Sequence, residues 1–161
     1  MTTLKKRIPL NRVEGDLEIH LEIDRDNVVT MARSVGTMYR GIENLMTGRG
    51  PLDSLVITPR ICGICTTAHL CAAARALDMA CQVTIPADAQ RLRNTTLMVE
   101  QIQNDLRHLF LLFMPDFTRS HYAEHPLFAQ AVARYQPLKG QTTLQTIQAT
   151  KRLIEIVAML G

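Results

Sequence analysis

Across residues 88–114, Leu92, Val99, Leu106 and Phe113 recur every seven residues, with Ile102 and Leu109 set between them. A backbone that completes a turn every ~3.6 residues gathers such side chains into one stripe. The spacing predicts a helix of about seven turns, opened by Pro86 and Asp88 and stopped by Pro115. A long helix with one apolar stripe has to lay that stripe against other helices, so the chain is expected to fold around a helical bundle.

Two more stretches support that reading. Residues 66–79 are rich in Ala and Leu, which lose little side-chain freedom in a helix. Residues 142–160 place Leu144, Ile147, Ile154 and Val157 on what should be an inner face. Shorter helices are expected over 39–47, ended by Gly48, and within 122–138 after Pro126.

The N-terminal region has a different period. In residues 16–24, DLEIHLEID, Leu17, Ile19, Leu21 and Ile23 point one way, and Asp16, Glu18, His20, Glu22 and Asp24 the other. That is a half-buried strand with one wet face, on which His20 is expected to meet solvent. Arg25, Asp26 and Asn27 make a polar turn, and residues 28–35 return as a second strand of an antiparallel hairpin. The expected fold is mainly α with a small N-terminal antiparallel β-hairpin and a partial helical bundle. Its parts are a hairpin region over 1–35, a segment with candidate metal ligands over 36–86, and bundle helices over 87–161. The last residues, IEIVAMLG, form an apolar helical face, so the bundle is expected to lack its C-terminal part.

Composition removes several classes of function. The chain is 47% hydrophobic and 20% charged, a globular balance rather than a disordered one. The longest strongly apolar stretch, 109–114, falls well short of the ~18 residues of a membrane span. The start, MTTLKKRIPLNRVEG, lacks the apolar region of a secretory signal. Its 18 Lys and Arg are scattered among 15 Asp and Glu without a basic block, which argues against nucleic-acid binding.

The chemistry gathers at Cys62 and Cys65, a C-x-x-C within TPRICGICTTAHL. Two thiolates at this spacing, on a turn relaxed by Gly63, converge on one metal or join in a disulfide. Arg60 adds positive charge, which favours thiolate. Haem attachment needs His directly after the second Cys, and Thr66 stands there. Zinc needs two further ligands. His69, Cys71 and Cys81 are available, but their spacing matches no common zinc module, and a four-Cys iron–sulfur cluster has no better support. Cys71 and Cys81 lie among Ala and Leu and read as small core residues. A thioredoxin-like dithiol would suit CGIC before a helix but lacks its βαβ setting. On chemistry alone, the motif is half a metal site. Glu14, just before the first strand, and Glu43, in YRGIENL, each read singly as solvated carboxylates. His69 sits on the following helix at a spacing that can turn its ring back towards the thiols.

Taken in order, Arg12, Val13, Glu14 and Gly15, then Arg40, Gly41, Ile42 and Glu43, then Gly48, Arg49 and Pro51, and finally the phrase RICGICTTAH resemble the N-terminal signature of nickel–iron hydrogenase large subunits. HLFLLFMPDF and the closing helix extend the likeness over essentially the whole chain. The related quinone-reductase subunit of respiratory complex I shares the ancestral fold but lacks the metal-binding cysteines, so the C-x-x-C favours hydrogenase.

The resemblance implies roles residue by residue. Cys62 corresponds to a terminal nickel ligand, and Cys65 to a thiolate bridging nickel and an iron that carries diatomic ligands; soft sulfur suits both metals. Glu43 corresponds to a magnesium ligand. Glu14 corresponds to the glutamate that passes protons away from the nickel site, and His69 to a histidine that donates a hydrogen bond towards a metal-site sulfur. Ile64 and Leu112 correspond to positions that narrow the gas path. The implied activity is heterolytic oxidation of dihydrogen to protons and electrons. The electrons would pass to a small subunit carrying iron–sulfur clusters. The implied location is cytoplasmic, in the uptake or sensory branch, with membrane association only through partners.

The chain also departs from the pattern. Asp16 stands where the family often has His. Asn104 stands where many members place Asp on the long helix, and the adjacent Asp105 would face another way. The family's second C-x-x-C does not occur in these 161 residues. The isolated chain is therefore expected to be inactive, its remaining ligands supplied by a missing C-terminal part or a split partner chain. The alternatives are a non-catalytic remnant and a dithiol redox or zinc-binding module using Cys62 and Cys65.

Overall fold

A computed structural model describes residues 4–13 and 15–160. The chain divides into two compact units, residues 1–41 and residues 42–161.

The first unit is an antiparallel sheet in the order β1 (Leu4–Pro9), β2 (Leu17–Ile23), β3 (Val29–Gly36). The expected hairpin is β2–β3. Its turn is built by Asp24, whose Oδ1 accepts the N–H groups of Asp26 and Val28 at 2.9 Å each, with Asn27 in the left-handed region at φ 60°. Strand β1 was not expected. Its sequence, LKKRIP, is dominated by cations that mask any alternation, and pairing with β2 supplies the order. Lys5 lies opposite Glu22 and meets it at 3.6 Å, while Arg7 lies opposite His20. A charged edge strand of this kind resists pairing with further chains. As the middle strand, β2 is half-buried along its whole length rather than alternately wet and dry. His20 is thus a half-buried, partnered residue, with Nε2 2.7 Å from Glu18 Oε2, and not the solvent-facing one expected.

The second unit is helical. Its helices are α1 (Ile42–Met46), α2 (Ser54–Ile57), α3 (Thr66–Ala80), α4 (Ala87–Arg107), α5 (Phe128–Tyr135) and α6 (Gln141–Leu160). Short 3-10 turns at Pro51–Asp53, Thr58–Arg60, Met114–Thr118 and Ser120–Tyr122 link them. The long helix ends its regular α course at Arg107 and widens into a π segment, His108–Phe113, before the turn that contains Pro115. Proline offers no N–H and its ring crowds the carbonyl four residues back, so the turn before it cannot complete the α ladder.

The inward faces differ from those expected. On the expected stripe of the long helix Leu92, Ile102 and Leu109 are exposed while Val99, Leu106 and Phe113 are half-buried; on that of α6 Leu144, Ile147 and Ile154 are exposed and Val157 half-buried. The buried positions are Thr96, Glu100 and Gln103 on α4, Thr143, Thr146 and Thr150 on α6, and Thr67, Cys71 and Ala73 on α3. Most of these side chains are small, which lets helix axes approach closely. The Thr143 hydroxyl finds no hydrogen-bond partner among the described residues, but three others are satisfied at home: Thr96 Oγ1 donates to Arg93 O at 3.0 Å, Thr146 Oγ1 to Thr142 O at 2.8 Å, and Thr150 Oγ1 to Ile147 O at 3.1 Å. What each of these three presents to its neighbour is then mainly a methyl group. Gln103 bridges the two helices directly, with Nε2 donating to Thr150 O at 3.3 Å.

Helices α3 and α4 run antiparallel and are clamped at both ends. Near one end Arg93 pairs with Asp78; near the other Glu100 meets the start of α3. The fold is mainly helical with a small N-terminal antiparallel sheet, of three strands rather than two. Among the described residues, no helix is long and apolar enough to cross a membrane.

Candidate metal centre

The residues before α3 fold into consecutive tight turns. Thr58 and Pro59 start a 3-10 turn that returns at Ile61, whose N–H donates to Thr58 O at 3.0 Å. The Thr58 hydroxyl reaches Ser54 O at 2.8 Å and His69 O at 3.3 Å, fastening the turn to α2 on one side and α3 on the other. Cys62 and Cys65 follow, joined as a disulfide with Cα atoms 5.4 Å apart. Cys65 is the N-cap of α3. Thr66 Oγ1 donates to Cys62 O at 2.9 Å, and the His69 N–H donates to Cys65 O at 3.2 Å. Both cysteine carbonyls are thereby tied to the first turn of α3. The same closure that joins the sulfurs here would present two thiolates to one ion in the reduced chain.

Gly63 is not sterically required at the tip of this turn. It is exposed, its φ lies outside the left-handed region, and a Cβ built there meets nothing within 4 Å. Gly63→Ala is accordingly expected to change stability by no more than about 0.5 kcal/mol, checked by a thermal melt of the oxidised chain. A larger loss would mean the turn needs the freedom expected of that glycine. An open depression of about 550 Å³ lies beside the turn, lined by Leu55, Val56, Pro59, Arg60, Gly63 and Thr66.

Of the other candidate site residues, His69 is half-buried on α3, one turn beyond Cys65. Glu43 is exposed in the first turn of α1, its carbonyl accepting the Thr47 hydroxyl at 3.1 Å. Among the described residues, no three His, Cys, Asp or Glu side chains gather as a metal-binding group. Glu14 lies outside the described residues. Asn104 is partly buried on α4, and its Oδ1 finds no hydrogen-bond partner among the described residues; Asp105 is exposed and accepts from Gln101 at 3.1 Å.

Cys71 and Cys81 part company. Cys71 is buried between α3 and α4, with Sγ 4.0 Å from Arg93 O, as a small core residue should be. Cys81 is exposed at the C-cap of α3, contrary to its expected core role, because the helix ends there and Gln82 turns the chain away with a left-handed φ of 53°. Burial pushes the Cys71 thiol up, the positive charges of Arg75 and Arg93 pull it part of the way back, and Glu100 adds to the rise. The folded state therefore favours the neutral thiol, and that stabilising contribution is lost as pH climbs through the raised value. In reduced protein at pH 8, Cys81 is expected to take iodoacetamide at least roughly tenfold faster than Cys71, followed by peptide mass spectrometry. Equal rates would contradict the burial of Cys71.

Sequence reasoning overlooked one residue near this turn. Glu100 lies off the apolar stripe and drew no reading from the sequence, and it is buried, with its carboxylate accepting backbone N–H groups of α3. The available signal was the spacing of Thr96, Glu100 and Gln103, a second stripe along α4 made of polar residues.

The family model described as nickel-dependent hydrogenase matches residues 40–158. The uptake hydrogenase large subunit of Bradyrhizobium diazoefficiens is 38% identical over 109 residues, 68% of this chain and 18% of that protein. The hydrogenase-2 large chain of Escherichia coli K12 is 36% identical over 135 residues, 84% of this chain and 23% of that one. Among solved structures, the actinobacterial-type NiFe-hydrogenase from Ralstonia eutropha H16 matches with a TM-score of 0.75 at 25% identity, covering 99% of this chain and 32% of its own. The reduced, active Ni-Fe-Se hydrogenase from Desulfomicrobium baculatum matches with a TM-score of 0.73 at 29% identity, covering 97% of this chain and 35% of its own. The chain spans about a fifth of the length of these curated relatives.

Proposed function

Because the chain belongs to the nickel-dependent hydrogenase family, we propose that it serves as the N-terminal portion of a nickel–iron hydrogenase large subunit, acting in the oxidation of dihydrogen to protons and electrons. The observation that carries this reading is the convergence of the Cys62 and Cys65 sulfurs on one turn inside the family-matched segment. Soft thiolates fit nickel and iron, and two of them make half of a four-sulfur donor set. When bound, the nickel–iron centre supplies the redox chemistry and Lewis acidity that polarise dihydrogen.

The residues of this chain have narrower tasks in the proposal. Cys62 and Cys65, once reduced by two electrons and two protons from disulfide to dithiol, hold the metals after losing those protons. His69, anchored through its backbone to Cys65 and Thr58, orients a sulfur by hydrogen bonding. Glu14 carries the released proton away, and Glu43 holds magnesium. The exposed apolar faces of α4 and α6 receive the remainder of the large subunit, which brings the second C-x-x-C. A small subunit with iron–sulfur clusters takes the electrons. The assembly is placed in the cytoplasm, in the uptake or sensory branch.

A test uses the reduced chain without oxygen. Nickel(II) is expected to produce a thiolate-to-nickel absorption band that saturates at one metal per chain, with no hydrogen-dependent dye reduction. A missing band would sink the ligand assignment, and hydrogen uptake by the isolated chain would sink the division of ligands. The Cys62–Cys65 disulfide itself favours a second reading, a dithiol redox or zinc-binding module. Under that reading the chain accelerates the reduction of insulin disulfides by dithiothreitol, which the hydrogenase reading does not expect.

A further inference from the structure

Glu100 is 6% exposed in the middle of α4, and its carboxylate is committed to another helix. Oε2 accepts the N–H of Thr67 at 2.7 Å, and Oε1 accepts the N–H of Ala68 at 2.8 Å. These amides belong to the first turn of α3, where backbone donors have no partner within the helix. Cys65, at the N-cap, provides no side-chain cap. A carboxylate from α4 thus does the work usually left to a capping Ser or Asp, and brings negative charge to the positive end of the helix dipole.

We propose that Glu100 is a positioning residue for the two-sulfur turn, holding the start of α3 so that Cys62 and Cys65 stand ready as a bidentate metal ligand. This rests on the reading of Cys62 and Cys65 as metal ligands given above. The physical link is short. Thr67 is held by Glu100, Thr66 is the next residue back and its hydroxyl bonds Cys62 O, and Cys65 precedes Thr66 and bonds His69 through its carbonyl. The far end of α3 is held separately by the Asp78–Arg93 pair. Losing the Glu100 bonds therefore loosens the first turn of α3, and with it the sulfurs, while the body of the helix stays on α4.

The experiment compares the reduced full chain with Glu100→Gln, Glu100→Asp and Gln103→Ala by nickel(II) titration and by amide hydrogen exchange at Thr67 and Ala68. Glutamine keeps one acceptor but loses the charge that makes these bonds strong, so Glu100→Gln is expected to weaken nickel binding by roughly tenfold and to speed exchange at both amides. Glu100→Asp keeps the charge on a shorter arm and is expected to fall between. Gln103→Ala removes a buried α4 side chain that bonds α6, and is expected to lower thermal stability yet leave nickel affinity within about twofold. Nickel affinity unchanged in Glu100→Gln, despite faster exchange, overturns the positioning role alone. A wild-type chain that binds no nickel overturns the reading beneath it. If Gln103→Ala weakens nickel as much as Glu100→Gln, or if both Glu100 variants fail to fold, Glu100 is a stability residue and the proposal falls.

Discussion

Replacing Cys65 with serine in the reduced chain is expected to weaken nickel(II) binding by at least about a hundredfold, and Cys62→Ser by a similar factor. A serine hydroxyl stays protonated near neutral pH and is a hard donor, so each variant turns a chelating pair into a single sulfur. The two remaining cysteines offer no replacement. Cys71 is buried, its thiol is pushed up by that burial, and it faces the backbone of α4 at Arg93. Cys81 is exposed but caps the far end of the 15-residue α3, about 22 Å from the CGIC turn at 1.5 Å per residue. Anaerobic titration followed by the thiolate-to-nickel band gives the comparison directly. Affinity within tenfold of wild type in both variants would place the metal elsewhere and remove the main support for the hydrogenase reading of this turn.

Gly140→Ala is expected to cost about 2–3 kcal/mol, seen as a fall of roughly 5–10 °C in thermal midpoint. Gly140 is buried between α5 and α6, where the chain doubles back and Leu138 takes a left-handed φ of 61°. A Cβ at this position would strike the Arg134 carbonyl oxygen and lie 2.7 Å from the Gln136 backbone nitrogen. Both are backbone atoms, so no side chain can swing aside. The Gly140 N–H also bonds Gln136 O at 2.8 Å, and its carbonyl accepts the Leu144 N–H at 3.0 Å as α6 begins. Relief of the clash would have to move the start of α6, whose threonine face packs on α4. Gly50, where a Cβ meets nothing within 4 Å, gives the matching control. A Gly140→Ala chain that melts within about 2 °C of wild type would show a compliant junction and contradict this account.

The helices could be read ahead of the structure because helical periodicity and proline punctuation are local. Residues 66–79 and 142–160 agree closely with α3 and α6, and the extent of the long helix departs from expectation where it changes to π geometry ahead of Pro115. The β2–β3 hairpin was legible for the same reason, through period two and an Asp-led turn. Strand β1 was not, since three consecutive cations carry no facing signal and only the partner strand makes them extended. The cysteine pair was legible by its spacing. Its place at the N-cap of α3 follows from the chain itself, but nothing local shows what holds that end of the helix.

Local chain chemistry by itself determined where most helices run, that the first unit contains a sheet, and that two sulfurs meet on one turn. Tertiary structure decided which face of each helix lies inward. Helix α4 carries two stripes, one apolar and one of Thr, Glu and Gln, and the polar one is the more deeply buried, with Leu92 and Ile102 exposed and Val99 and Leu106 only half-buried. The small threonines of α6 allow close approach, and the free amides of α3 need an acceptor; together they draw the polar stripe in. That is why Glu100, 33 residues along the chain from Thr67, ends at the base of the cysteine turn. A capping bond between residues so far apart depends on the packing of α3 against α4, which no short-range pattern encodes.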